Sequence, residues 1–204
     1  MNSSIGTDAA DTESLSTSDA ILDATLQVLG ERGLKGATTR LIAQRADVNE
    51  VTLFRKFGTK NKLIQAAIEQ KFATVQRTFG GYTGDIEADL TRLTQTYLAA
   101  LKDVGPVVWV VFTELSYNQE LARSIHGPER LFATVAEMMQ RYQSEGVLRD
   151  EPPQTMVPAF IGPILMPFVV KSVADSFGLT LEIDVQAHVS GFLHGRVGSS
   201  GAPQ

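Results

Sequence analysis

The sequence has no cysteine in its 204 residues. Disulfides, thiolate metal sites and cysteine nucleophiles are therefore excluded. Histidine is scarce: His126, His188 and His194 do not form the helical HExxH zinc pattern. A glycine-rich phosphate loop and a nucleophile elbow are also missing, so the residues make a poor enzyme and no metal or cofactor is expected. Strong strand alternation and Asn-Gly hairpin signals are lacking. No cationic stretch opens the chain, so no secretory signal is expected. The charge-free run Val104–Thr113 is too short to span a bilayer, and the longer Pro152–Val170 is interrupted by Pro158, Pro163 and Pro167. A cytoplasmic, non-membrane protein is expected.

Positive charge is scarce too, except in one place. The formal net charge is -5. Five acids and no Lys or Arg lie in residues 1–30. Residues 31–62 reverse the balance, with Arg32, Lys35, Arg40, Arg45, Arg55, Lys56, Lys60 and Lys62 against Glu31, Asp47 and Glu50. One short basic segment inside an acidic chain is the electrostatic footprint of a small domain that meets phosphate.

What is abundant is helical periodicity. Residues 1–16 are Ser, Thr, Ala and Asp with few large apolar side chains and are expected to be a disordered tail, as is the Gly- and Ser-rich 198–204. A first helix is expected from Thr17 or Ser18, with Ile21, Leu22, Thr25, Val28 and Leu29 as its buried stripe and Gly33 as its end. Thr38 or Thr39 caps a short second helix. Asp47 ends it in a left-handed turn, and Asn49 caps a third helix with Val48, Leu53 and Phe57 facing inward. Gly58 stops that helix. Thr59 caps a long fourth one over 59–80, whose stripe is Leu63, Ile64, Ala67, Ile68, Phe72, Val75 and Phe79. Further helices are expected over 85–103, 106–117, 119–145 with a break at Gly127-Pro128, 153–176 and 182–196. The fold class is all-α with about nine helices. Two short helices joined by Ala46-Asp47-Val48 make a helix-turn-helix, whose second helix offers its first residues to base edges in the major groove. Its coincidence with the basic segment strengthens that reading.

These residues carry a resemblance. Gly36-Ala37-Thr38-Thr39, Ile42-Ala43, Val48-Asn49 and Thr52 to Lys60 (TLFRKFGTK) are similar to the TetR family of transcriptional regulators, over Ile21–Ile68. The resemblance implies an all-helical homodimer whose N-terminal helices bind a palindromic operator and whose C-terminal domain binds a small ligand that releases DNA. It implies a DNA-binding domain over 17–62 and a ligand-binding and dimerisation domain over 63–197. Residue by residue, it places Thr38, Thr39 and Arg40 at phosphates and sometimes a base. It sets Asn49, Glu50, Val51 and Thr52 at base edges, Phe54, Arg55 and Lys56 at backbone and bases, and Lys60 at a phosphate. The chain departs from the family pattern at three places: Asp47 replaces the usual Gly, Phe54 the usual Tyr, and Glu50-Val51 the usual Lys or Gly pair. A Glu at the groove repels phosphate but accepts a hydrogen bond from a cytosine amino group.

Beyond Ile68 the residues say less. Tyr97, Trp109, Phe112, Phe132, Met138, Phe160 and Met166 are large apolar residues on the middle helices. They line a ligand cavity or are plain core. Glu114 and Tyr117 offer a polar anchor or face water. Phe160, Ile164, Phe168, Val169 and Val173 on one helix, with Val185, Val189, Phe192 and Leu193 on the next, make an apolar surface that a second copy would cover. A helical protein-interaction domain without DNA binding is the alternative; it leaves the basic segment unexplained.

Overall fold

A computed structural model of the chain describes residues 6–114 and 117–194, with side chains placed for residues 17–104, 107–108, 110, 113, 117–171 and 174–194. The expected C-terminal tail and the side chains of Trp109, Phe112, Glu114 and Val173 lie outside the described residues. Ten helices and no strand are found among those described: α1 (Gly6–Gly36), α2 (Thr39–Arg45), α3 (Glu50–Phe57), α4 (Lys60–Phe79), α5 (Ile86–Glu114), α6 (Gln119–Ser124), α7 (Gly127–Ser144), α8 (Pro153–Val169), α9 (Lys171–Ser176) and α10 (Val185–His194). No helix among the described residues is long and apolar enough to cross a membrane.

Three helix boundaries differ from expectation. Helix α1 begins at Gly6 rather than near Thr17. Helix α5 runs through Gly105-Pro106 instead of breaking there. Proline removes one amide donor from a helix, which interrupts a single bond of a long ladder and need not end it. The helix expected over 153–176 divides at Val170, whose ψ of 5° departs from helical geometry. Pro167 has no amide for the carbonyl of Pro163, which weakens the last turn of α8.

The chain forms two units. The first contains residues up to Lys71 together with Val104–His126, and the second contains Phe72–Asp103 together with residues from Gly127 on. In the first, the stripe Ile21, Leu22, Val28 and Leu29 is buried with Ile42, Ala43, Leu53, Leu63 and Ile64. The hydroxyl of Thr25, also fully buried, donates to the Ile21 carbonyl at 2.7 Å and so leaves no unmet polar group in this core. Gly33 interrupts α1 with φ 67°, as expected of its end.

The second unit is organised around one buried carboxylate. Asp89 on α5 is fully buried. It accepts hydrogen bonds from the Thr83 amide (2.7 Å) and hydroxyl (2.6 Å), from Arg92 Nη2 (2.6 Å) and from the Tyr142 hydroxyl on α7 (2.6 Å). Arg92 also donates to the carbonyls of Phe79 and Gly81, each at 2.7 Å, so it satisfies the open end of α4. Burial alone would push the Asp89 carboxyl up, but the bonds from Thr83, Tyr142 and Arg92 outweigh it and hold the carboxyl below its ordinary value. Burial, with the same bond to Asp89, raises the Tyr142 phenol far above its ordinary value. Above this network the Tyr82 ring lies 4.8 Å from that of Tyr142 and under Arg141, and its hydroxyl donates to Glu145.

The C-terminal helices close part of the surface expected to meet a second copy. Phe160 and Ile164 of α8 and Val189 of α10 are buried within the chain. The rings of His188 and Phe192 stand 4.8 Å and 4.9 Å from that of Phe160. Helix α10 supplies aromatic neighbours to α8, so these side chains meet within one protomer. Phe168, Val169, Val185, Phe192 and Leu193 remain half-buried.

Candidate nucleic-acid interface

Helices α2 and α3 are short, and short helices need their ends satisfied. Thr38 accepts from the Leu41 amide at 3.2 Å and Asn49 from the Val51 amide at 2.8 Å. Each side-chain oxygen serves as a cap, so the Thr38 hydroxyl proton and the Asn49 amide protons stay available to phosphate or base. Between the helices, the Val48 amide donates to the Ala43 carbonyl at 3.0 Å. This is the six-to-one bond of a Schellman turn, with Asp47 in the left-handed position at φ 54°. It is the one non-glycine residue with positive φ among those described.

Helix α3 has a clear inside and outside. Leu53 is fully buried, and Lys56 and Phe57 are half-buried. Val51 is 73% exposed, Phe54 is 46% exposed, and Arg55 is exposed. Positions three and four apart share a helix face, so Val51, Phe54 and Arg55 form one outward patch. Arg40 on α2 is exposed as well, and neither it nor Arg55 is held in an ion pair among the described residues. Thr52 is half-buried.

Four of the residues placed at DNA by the resemblance are held by other parts of the chain. Thr39 donates its hydroxyl to Glu50 Oε1 at 2.5 Å, which ties α2 to α3 and occupies one carboxylate oxygen. Lys56 donates to the Ser18 hydroxyl at 3.1 Å and so joins α3 to α1. Lys60 donates to the Leu34 carbonyl at 2.5 Å, just beyond the Gly33 interruption of α1. Sequence spacing puts these residues in the right segment, but it cannot say that a carbonyl freed by a helix break lies within reach of an ammonium.

One structural contact was not anticipated. Arg45 at the end of α2 forms a bidentate pair with Glu31 of α1, both arms at 2.8 Å. That hydrogen bond is the main reason the Glu31 carboxyl lies below its ordinary value. The pairing takes Arg45 out of the set of free cations. Lys35 and Lys62 are exposed, and their membership of the basic segment was the only sequence signal for them.

Residues 21–67 match the family model described as bacterial regulatory proteins, tetR family. Over this stretch the chain is similar to the TetR family. The match is to DNA-binding transcriptional regulators. The chain is 26% identical over 134 residues to the uncharacterized HTH-type transcriptional regulator YvkB of Bacillus subtilis (strain 168), covering 65% of this chain and 71% of that one. Its fold is similar to that of the transcriptional regulator FadR from Bacillus subtilis in complex with stearoyl-CoA, with a TM-score of 0.72 at 16% identity, over 88% of this chain and 99% of that one. The fatty acid degradation regulator FadR from Bacillus halodurans is alike in fold, with a TM-score of 0.69 at 20% identity, over 87% of this chain and 93% of that one. The matched TetR segment contains all of α2 and α3 and the outward patch.

The candidate ligand residues are dispersed. Tyr97, Met138 and Phe160 are buried on α5, α7 and α8, and burial pushes the Tyr97 phenol up to about 12. Phe132 is half-buried, Met166 is 50% exposed, and Tyr117 is 92% exposed and faces water. Cavities are found among the described residues of the second unit. One of about 570 Å³ is lined by Val147, Leu148, Arg149 and Glu151 together with Met156 and Pro163 of α8 and His188 and Phe192 of α10. One of about 330 Å³ is lined by Lys102, Pro167, Phe168, Lys171 and Leu179–Leu181. Neither is lined by the seven aromatic and methionine candidates.

Proposed function

We propose that the chain is a repressor that binds a palindromic operator as a homodimer and leaves it when a small apolar or aromatic ligand binds. The observation that carries this reading is the outward patch of α3. Val51, Phe54 and Arg55 stand together beside Arg40, while Leu53 anchors the helix from behind. Such a helix fits a major groove, and bases and phosphates would meet Thr38, Arg40, Asn49, Val51, Thr52, Phe54 and Arg55. Thr39, Glu50 and Lys56 act as supports that set the angle of α3, and Lys60 ties the start of α4 to α1. DNA binding is assigned to 17–62, ligand binding and dimerisation to 63–197, and the protein to the cytoplasm.

Dimerisation follows from what one such helix can read. It covers too few base pairs for genomic specificity, whereas a two-fold dimer places two helices in successive major grooves about 34–36 Å apart. Helix α8 supports a surface for this. None of its residues from Pro153 to Val169 is charged, yet Met166 is half exposed. Phe192 packs on Phe160 within the chain, so Met166 is the cleaner probe. Met166→Glu is expected to give monomers at micromolar concentration with unchanged helix content and weakened operator binding. Sedimentation of both proteins checks this, and a wild-type monomer or a dimeric variant sinks the interface.

The ligand class rests on the second unit. Its larger cavity, at about 570 Å³, is within the range of small-molecule sites. The Bacillus subtilis FadR, alike in fold, is in complex with stearoyl-CoA, which makes a long-chain acyl thioester the first compound to try. Gel shifts on DNA selected from a random pool, with and without stearoyl-CoA, test the whole reading. Failure to enrich any DNA overturns it, and retention of DNA in the presence of acyl-CoA removes the acyl ligand.

A further inference from the structure

We infer that Val51 reads a thymine, by packing on its C5-methyl group in each half-site, with Phe54 covering the flank of the same contact. The inference rests on α3 being the recognition helix.

Among the described side chains of residues 17–71, Val51 and Phe54 are the only large apolar ones that are exposed. They are three residues apart on the same outward face, and the helix gains nothing from leaving them in water. A β-branched Val is a poor choice for an exposed position of an eight-residue helix, where Ala, Glu or Lys would favour the helix more. Folding therefore does not account for Val51, whereas docking into a groove would cover it. The major groove offers one apolar feature to cover it with, the thymine methyl; the other base edges there are donors and acceptors. The neighbouring acid does not compete for this role, because Glu50 is turned toward α2 by the Thr39 hydroxyl. At the first turn of α3, the side chain standing furthest into solvent is apolar.

The test uses the full chain and a duplex selected from a random DNA pool, remade with deoxyuridine at each thymine in turn. Uracil keeps every hydrogen-bonding group of thymine and lacks only the methyl. The expected result is one position per half-site where uracil weakens binding about fourfold, the effect of one buried methyl. Val51→Ala loses the contact in both halves of the dimer, so it should bind the thymine duplex roughly fifteenfold more weakly and no longer distinguish it from the uracil duplex at that position. Val51→Ile should keep the distinction. Equal binding of thymine and uracil duplexes by the wild-type chain overturns the inference alone, as does undiminished discrimination by Val51→Ala. A chain that enriches no DNA overturns the recognition-helix reading along with it.

Discussion

Asp89→Ala is expected to destabilise the fold by about 3 kcal/mol, the scale of removing one partner from a buried, hydrogen-bonded charge pair. Four donors converge on this carboxylate: the Thr83 amide, the Thr83 hydroxyl, Arg92 and the buried Tyr142 hydroxyl. Each would lose its acceptor at once, and the Tyr142 hydroxyl has no route to water. A loss of that size lowers the melting temperature of a chain this long by roughly 6–12 °C. Urea denaturation at neutral pH measures it, and a change below about 1 kcal/mol would show that the loop over 80–85 is held by packing alone.

The same carboxylate makes stability depend on acid. Its folded value is lowered, so the unfolded chain takes up the proton first as pH falls. The stabilising contribution is complete above the unfolded carboxyl value of about 4 and is lost progressively as pH drops below it toward the folded value. Asp89→Ala should therefore flatten the acid limb of the stability profile as well as lower its plateau. An acid limb as steep in the variant as in the wild type would assign the effect to other carboxylates.

The second large effect is on DNA. Arg40→Ala combined with Arg55→Ala is expected to weaken operator binding by roughly a hundredfold or more, the scale of four charge-assisted hydrogen bonds, two in each half of a dimer. Both side chains are exposed, and neither is paired with an acid among the described residues. A dimer loses two phosphate contacts for each substitution, so the plot of log affinity against log salt should become shallower by about 1.8 per substitution. Arg45→Ala is the useful contrast. Its guanidinium is already held by Glu31, so its loss should leave the salt slope nearly unchanged. Similar slopes for the wild type and the double variant would move the footprint elsewhere.

Much of the DNA-binding region was readable because its signals are local. Caps, turn residues and a 3.6-residue stripe act within a few positions of themselves, so Thr38, Asn49, Asp47 and Leu53 take the places their residue types require. The matched family segment has the same origin, since spacing along one strand of chain is what a motif records. The helix ends were less readable. Pro106 and Pro167 have the same chemistry, yet α5 runs on and α8 stops soon after, because one lost hydrogen bond is decided by what the rest of the helix packs against.

Side-chain direction was the part no spacing rule supplies. Glu50, Lys56 and Lys60 sit in the basic segment like Arg40 and Arg55, and charge alone ranks them together. Their partners are Thr39, Ser18 and Leu34, which come from other helices and become neighbours only when the chain closes. Phe160, Ile164 and Val189 likewise look like interface residues in the sequence and are core in the fold, because the rings of α10 reach them first. From residue order alone came an all-helical chain, a capped helix-turn-helix and a basic footprint, since each depends on interactions within a few residues. Which charges stay free, which apolar side chains face out and where the cavities lie depend on contacts between distant segments, and those exist only after packing.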